Sequence, residues 1–213
     1  MTTNHKIIFN SSQDMKELAA NTVDLVVTSP PYPMLDMWDG LYAKLNPSIG
    51  ESLASDPMRA FELMHQELDK VWNECYRVLK DGGFMCVNIA DAPRSMGGDF
   101  QMYDNHGRIV TFLTALGLKW LPSIIWHKPT NAPNKFMGSG TLPCGAYVTS
   151  EHEHILIFRK GTKRIFNESE KQIRRESAFF FEFFGLPKEK ATVTARERNN
   201  KIESFLVFLI KIV

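Results

Sequence analysis

Residues 23–32, Val-Asp-Leu-Val-Val-Thr-Ser-Pro-Pro-Tyr, decide the fold class. Val23 to Val27 is β-branched and almost uniformly apolar, as a strand buried on both faces of a parallel sheet should be. It stops abruptly at Ser29-Pro30-Pro31, because two prolines cannot continue a hydrogen-bonded ladder. Ligands of open α/β sheets sit outside the carboxyl ends of the strands, so this stiff loop is aimed at the functional crevice.

Outward from that strand, apolar runs alternate with helical periodicity. Lys6 to Phe9 reads as a short strand and Gln13 to Ala20 as a brief helical stretch. Pro57 to Leu79 sets Phe61, Met64, Leu68, Val71, Trp72, Cys75 and Leu79 at helical spacing, which predicts one long amphipathic helix. Asp81-Gly82-Gly83 ends it, and Phe84 to Ile89 is the next strand. Ile109 to Leu116 is a helix closed by Gly117, and Trp120 to Trp126 is a strand ended by Lys128-Pro129. After a loop rich in Pro, Gly and Asn, His154 to Phe158 forms a strand stopped at Arg159-Lys160-Gly161. The expected fold class is α/β: a partial Rossmann-like sheet, mostly parallel, whose last two strands make an antiparallel edge hairpin. Residues 1–161 would hold this sheet. Residues 162–213 form a basic and then apolar tail that the pattern does not place in it.

A hydrophobic content of 44% and a charged content of 23% are those of an ordinary globular protein. The net charge of +1 hides an uneven distribution. From Arg159 to Lys201, Lys and Arg outnumber the acids roughly two to one, which fits either a polyanion partner or a solvated helical surface. Cys75, Cys86 and Cys144 are far apart and unpaired in spacing, against a disulfide framework or structural zinc and in keeping with a reducing cytoplasm. The first ten residues lack the apolar core of a signal peptide. Phe205 to Val213 is apolar but short of the ~20 residues that a bilayer span needs, so no membrane association is expected.

The loop suits one chemical problem. The exocyclic amino group of cytosine or adenine is a poor nucleophile, because its lone pair is delocalised into the ring. Acceptors that hold its two hydrogens draw the nitrogen toward tetrahedral geometry. Ser29 Oγ and the carbonyl of Pro30 are such acceptors. Pro31 would stiffen the turn, and Tyr32 offers a flat face for stacking on a base taken out of the duplex. With a sulfonium methyl donor approached in line, catalysis would rest on positioning and desolvation.

The segment VDLVVTSPPYP resembles the motif of amino-methylating DNA methyltransferases, and its Thr-Ser-Pro-Pro-Tyr form resembles that of enzymes acting on the N4 of cytosine. Adenine-N6 enzymes more often carry Asp where this chain has Ser29. Further segments match the family in order: IIFNSSQDM before the strand, then VLKDGGFMCVNIAD, IIWHKP and SEHEHILIFRKG. The resemblance covers Lys6 to Gly161. It implies a methyltransferase-like sheet, S-adenosylmethionine as cofactor, and duplex DNA with a flipped base as partner, in the setting of a restriction-modification system. It places Asn10, Ser11 and Thr28 near the cofactor. Family members that begin with this motif carry a later Asp-Pro-Phe-x-Gly-x-Gly cofactor turn, which this sequence lacks. The expectation is therefore an incomplete catalytic half, completed by a second chain or serving as a non-catalytic DNA-binding subunit or remnant.

Other features have plainer readings beside sharper ones. Pro-Pro-Tyr as a proline-rich ligand is disfavoured by the abutting strand. The Asn-Pro-Pro-Tyr relatives that act on RNA guanine or protein glutamine differ at Ser29. Pro143-Cys144 echoes the nucleophile of C5-cytosine enzymes but sits in the wrong loop, so an incidental cysteine is favoured. His152 and His154 share one side of a strand without a third ligand at suitable spacing, so no metal is expected. Trp38 could wall the pocket or pack locally, and with Lys128 and Lys135 it is a candidate DNA contact.

Overall fold

The computed structural model describes residues 8–128 and 150–165 and, as backbone, Val207–Ile210. Among the described residues seven strands are present: β1 (Val23–Thr28), β2 (Leu79–Ile89), β3 (Ala92–Met96), β4 (Asp99–Tyr103), β5 (Leu118–His127), β6 (His152–Lys160) and β7 (Val207–Ile210). The helices are α1 (Asp39–Leu45), α2 (Pro47–Ser55), α3 (Pro57–Val78) and α4 (Asn105–Ala115). The main sheet has the order β5-β6-β2-β1-β7, and β3 and β4 form a separate antiparallel hairpin. β1 and β2 pair in parallel, while β6 is antiparallel to both β2 and β5. Thus β1, β2 and β5 run one way and β6 runs against them, with the β5–β6 pair at the edge as expected. The sheet is mixed, and the architecture is the anticipated α/β one.

The long helix is explained by its sequence. Asp56 caps it by accepting from Arg59 N–H at 3.0 Å, and Pro57 occupies the first turn, where its missing N–H costs nothing. Phe61, Met64, Leu68, Val71, Trp72, Cys75 and Val78 line one buried stripe. That stripe joins Val26, Met85, Val87, Leu156 and Phe158 of the sheet in one hydrophobic core. Gly83 is required where β2 begins to pair with β1: a Cβ there would lie 2.9 Å from the Lys80 carbonyl and 3.1 Å from that of Asp24. Asp24, buried inside the apolar strand, is paired with Lys80 at 2.8 Å.

Several segments differ from the sequence pattern. Asp81-Gly82-Gly83 does not separate helix from strand: α3 ends at Val78, and these residues lie within β2. Ile8 and Phe9 are not in a strand, and the rest of the first expected strand lies outside the described residues. Gln13 to Ala20 is a series of turns rather than a helix. Tertiary bonds divert its backbone: Met15 N–H donates to Glu74 at 2.7 Å, and the Arg77 guanidinium takes the carbonyls of Met15 and Leu18, both at 2.9 Å. Finally, Val207–Ile210 of the apolar tail pairs antiparallel with β1. Cys75 and Cys86 are free thiols, and no helix among the described residues is long and apolar enough to cross a membrane.

Candidate active site

The loop leaving β1 is anchored by its carbonyls. Tyr42 of α1 donates to the Pro31 carbonyl at 2.7 Å. Asn105, opening α4, donates to the carbonyls of Pro33 at 3.1 Å and Ala90 at 3.0 Å, tying the loop after β1 to the loop after β2. With both amide hydrogens committed, Asn105 Oδ1 accepts from His65 Nε2 at 3.0 Å, so the buried His65 carries its proton on Nε2. Burial holds the His65 imidazole down at about 3. Met34, fully buried with φ of 65°, makes the turn left-handed, a conformation a non-glycine residue holds only under constraint. Its N–H points at Met64 Sδ, 3.3 Å away. Pro30 and Pro31 are buried, Tyr32 is half-buried, and Ser29 is exposed.

The Tyr32 hydroxyl is the hub of a polar network drawn from three strand ends. It lies 3.2 Å from Ser29 Oγ, 2.8 Å from Asn88 Nδ2 and 3.1 Å from Glu153 Oε2. Asn88 Nδ2 also donates to Glu153 Oε2 at 2.6 Å, and Lys128 Nζ meets Glu153 Oε1 at 2.6 Å. The inventory of hydrogens orders this network. Ionised Glu153 only accepts, so the single Tyr32 proton goes to it; Asn88 donates one hydrogen to each; Ser29 is left to donate to Tyr32. Among the described residues nothing else meets Ser29 Oγ, so both its lone pairs remain for a ligand. Burial pushes the Tyr32 phenol up to about 12, with the Glu153 charge adding to the rise. Burial works to raise the Glu153 carboxyl, but hydrogen bonds from Lys128, Asn88 and Tyr32 outweigh it and hold it below the ordinary value.

Beside the network opens a pocket of ≈ 200 Å³, lined by Tyr32, Leu35, Asp91, Lys128, His152 and Glu153 among others. Thr28 is buried at the end of β1. Lys128 is half-exposed, holds Glu153 and stands 5.2 Å over the Trp126 ring. Trp38 is partly buried and packs against the core. Asn10 and Ser11 line a different, smaller pocket of ≈ 70 Å³ with Asp14, Met15, Glu17 and Leu18. Lys135 and Pro143-Cys144 lie outside the described residues.

Sequence spacing offered no third ligand beside His152 and His154, yet the fold brings Asp91 and His106 to His154. His106 Nδ1 is 2.8 Å from Asp91 Oδ2, and the His106 and His154 rings stack with centroids 4.1 Å apart and planes 12° apart. His154 Nε2 stands 4.0 Å from Asp91 Oδ2, and the ligand-type atoms of the three residues lie within 4.8 Å of one another, a grouping that sequence spacing did not reveal. Asn88 and Glu153 were missed as well. For Asn88 the signal was a lone polar residue at the pocket end of the apolar run FMCVNI; Glu153 stands in the polar run Ser150 to His154, where nothing singles it out.

A family model, DNA methylase, matches residues 23–201, most of the chain. The chain belongs to this family of N6- and N4-acting methyltransferases. It is 52% identical over 185 residues to the Type II methyltransferase M.MthZI of Methanothermobacter thermautotrophicus, covering 85% of this chain and 52% of that protein. It is 46% identical to M.MjaI of Methanocaldococcus jannaschii over 84% of this chain and 63% of that one. The chain thus spans between half and two thirds of the length of these relatives. Among solved structures, a putative DNA modification methylase from Thermus thermophilus, complexed with S-adenosyl-L-methionine, superposes with a TM-score of 0.59 at 27% identity. That match covers 82% of this chain and 64% of the other.

Proposed function

We propose that this chain carries the amino-group site of an S-adenosylmethionine-dependent DNA methyltransferase acting on the N4 of a flipped cytosine in duplex DNA. The observation that carries the reading is the proton order around Tyr32, which leaves Ser29 Oγ purely an acceptor toward a ligand. An acceptor-only Ser29, with the Pro30 carbonyl beside it, favours an –NH₂ donor and repels the carbonyl oxygen that thymine presents instead. The Pro31 and Pro33 carbonyls are held by Tyr42 and Asn105, so the loop is preorganised rather than shaped by the ligand. Tyr32 flanks the pocket whose size suits a single base. Lys128 at its mouth, with Trp38 and Lys135 of the neighbouring loops, would contact DNA.

The smaller pocket fits part of the cofactor. Its Asn10, Ser11, Asp14 and Glu17 are rich in acceptors, which suits ribose hydroxyls and an adenine amine and would repel phosphate. Asn10 and Ser11 would hold the adenosyl end, with Thr28 behind the loop; the similar Thermus thermophilus methylase was solved with S-adenosyl-L-methionine. When bound, the cofactor supplies an electrophilic methyl group. The residues here hold the amino nitrogen, exclude water and accept its hydrogens. In this reading a second chain would supply further cofactor contacts.

Transfer of tritiated methyl to unmethylated duplex DNA, by the chain alone and with such a second chain, followed by nucleoside analysis, tests the reading. Label in N4-methylcytosine is expected. Label in N6-methyladenine would shift the target to adenine, whose amino group the same acceptors would hold; label in neither, in both arms, would sink it. Ser29→Ala should lower turnover about a hundredfold, as loss of one preorganised partner does, with DNA affinity nearly unchanged. Equal loss of both would contradict a role in the transition state.

A further inference from the structure

We propose that Ser29, Tyr32 and Glu153 form a proton wire that carries the displaced proton of the methylated amino group away from the base. The inference rests on the amino-methyl reading of this site and adds to it a route and a terminus. Methylation leaves the amino nitrogen with one proton too many. The new bond is nitrogen to methyl carbon, and the bond that breaks is carbon to sulfur, whose electron pair stays with sulfur. The nitrogen then bears the positive charge and must release a proton.

The three hydroxyl and carboxylate groups are already arranged to take it. Ser29 Oγ, 3.2 Å from the Tyr32 hydroxyl, presents its lone pairs outward and its hydrogen inward. The Tyr32 hydroxyl, 3.1 Å from Glu153 Oε2, points its hydrogen at the carboxylate. One concerted shift suffices. The amino proton passes to Ser29 Oγ, the Ser29 proton to the Tyr32 oxygen, and the Tyr32 proton to Glu153 Oε2. The products are a neutral N-methylamino group, intact serine and tyrosine, and a protonated Glu153. Glu153 returns the proton to solvent at the pocket mouth, where Lys128 and His152 stand.

Asn88 keeps the wire pointed in one direction. Its amide donates to the Tyr32 oxygen at 2.8 Å and to Glu153 Oε2 at 2.6 Å, so Tyr32 cannot turn its hydrogen toward Asn88. A reversed amide would set its oxygen 2.6 Å from the Glu153 carboxylate, which like-signed partial charges forbid. The phenol itself is no base, since burial keeps it protonated to about pH 12; it conducts a proton without holding a charge. Glu153, buried and held ionised by Lys128, is the group able to receive one.

Two measurements on the full chain test this. In single-turnover methyl transfer, Tyr32→Phe keeps the aromatic face but cuts the wire, and Glu153→Gln removes its terminus. Each should lower the transfer rate about a hundredfold, the scale of general acid–base assistance, while leaving DNA and cofactor affinity within about twofold. Each should also abolish the solvent deuterium isotope effect carried by the wild-type chain, which a purely structural role would not do. A Tyr32→Phe chain with wild-type rate and isotope effect overturns the wire and leaves the amino-methyl reading standing. The second measurement needs no turnover. Ultraviolet difference titration, with Tyr32→Phe to assign the signal, should find the Tyr32 phenol near 12 in the wild type and moved toward 10 in Glu153→Gln. An unmoved phenol would show that its proton does not face Glu153 and would overturn the proposal.

Discussion

The two faces of the main sheet are built from the same strands and have opposite fates. Toward α3, register rows run Val26–Met85–Phe158 and Thr28–Val87–Leu156, and every one of these side chains is buried. One residue over, the rows are Val27–Cys86–Ile157 and Leu25–Phe84–Arg159, with Val27 38% and Phe84 40% exposed. At the β5 edge neither face is covered: Trp120 and Ile125, in register with Phe158 and His154, and Ile124 and Trp126, in register with Ile155 and Glu153, are all exposed. Across β1, β2 and β6 alternation therefore does not separate apolar from polar: both faces are apolar, and only one is covered by the described residues. The strands read as buried on both sides because their composition is that of strands with two covered faces. The site sits where that asymmetry matters least, on strand ends whose polar groups satisfy one another.

The comparison is broken most decisively from the covered side. Trp72 is fully buried in α3, at the centre of the stripe that packs on the sheet. Trp72→Ala leaves a large cavity and should cost about 3–5 kcal/mol in urea unfolding. Trp72→Phe should cost much less, because the indole N–H is buried without a hydrogen-bond partner among the described residues and its loss removes an unmet donor. A cost below about 1 kcal/mol for the alanine variant would mean that the covered face is not the core.

What was legible in the sequence follows the same division. α3 was readable because it repeats the helical period over its whole length, and β1 because it is β-branched and almost uniformly apolar up to a double proline. The loop Thr28 to Tyr32 was readable because its chemistry is contiguous. The β3–β4 hairpin was missed although Gly97-Gly98 marks its turn, since Pro93, Arg94 and Asp99 give its strands no β-type alternation. Helices α1 and α2 were missed because they are short, though Asn46 caps α2 by accepting from Ser48 N–H and Pro47 opens it. The network around Tyr32 was invisible for another reason. Ser29, Asn88, Lys128 and Glu153 come from separate strand ends up to 124 positions apart, and only the register of β1, β2, β6 and β5 brings them together.

A second effect, smaller than a core cavity, comes from the buried polar pillar between α3 and α4. His65 has its folded pKa depressed to about 3 by burial, against 6.5 when exposed. The unfolded chain therefore binds one more proton than the folded chain between these values. The stability contributed by neutral His65 is complete above about pH 6.5 and is lost as pH falls toward 3, with a slope of up to about 1.4 kcal/mol per pH unit. Denaturant titrations from pH 7 to pH 4 should show that slope, and His65→Gln, which cannot titrate, should remove it while lowering stability at pH 7. An unchanged slope in the glutamine variant would assign the acid sensitivity to other groups.

The smallest expected effect belongs to the uncovered face, and its smallness is the point. Phe84 lies in register between Leu25 and Arg159 and is 40% exposed, so its ring is only partly removed from water. Phe84→Thr puts a β-branched residue, itself at home in a strand, in place of the ring and trades partly solvated apolar area for a hydroxyl. Its cost should stay near ~0.5 kcal/mol, the range of ordinary surface substitutions, against several for Trp72→Ala on the other side of the same sheet. Removing that apolar area should also lower any concentration-dependent association seen by light scattering, because exposed patches of this kind drive contact with other surfaces. A loss of about 2 kcal/mol or more would show instead that Phe84 is covered in solution, and the two faces would then be alike in burial as they are in composition.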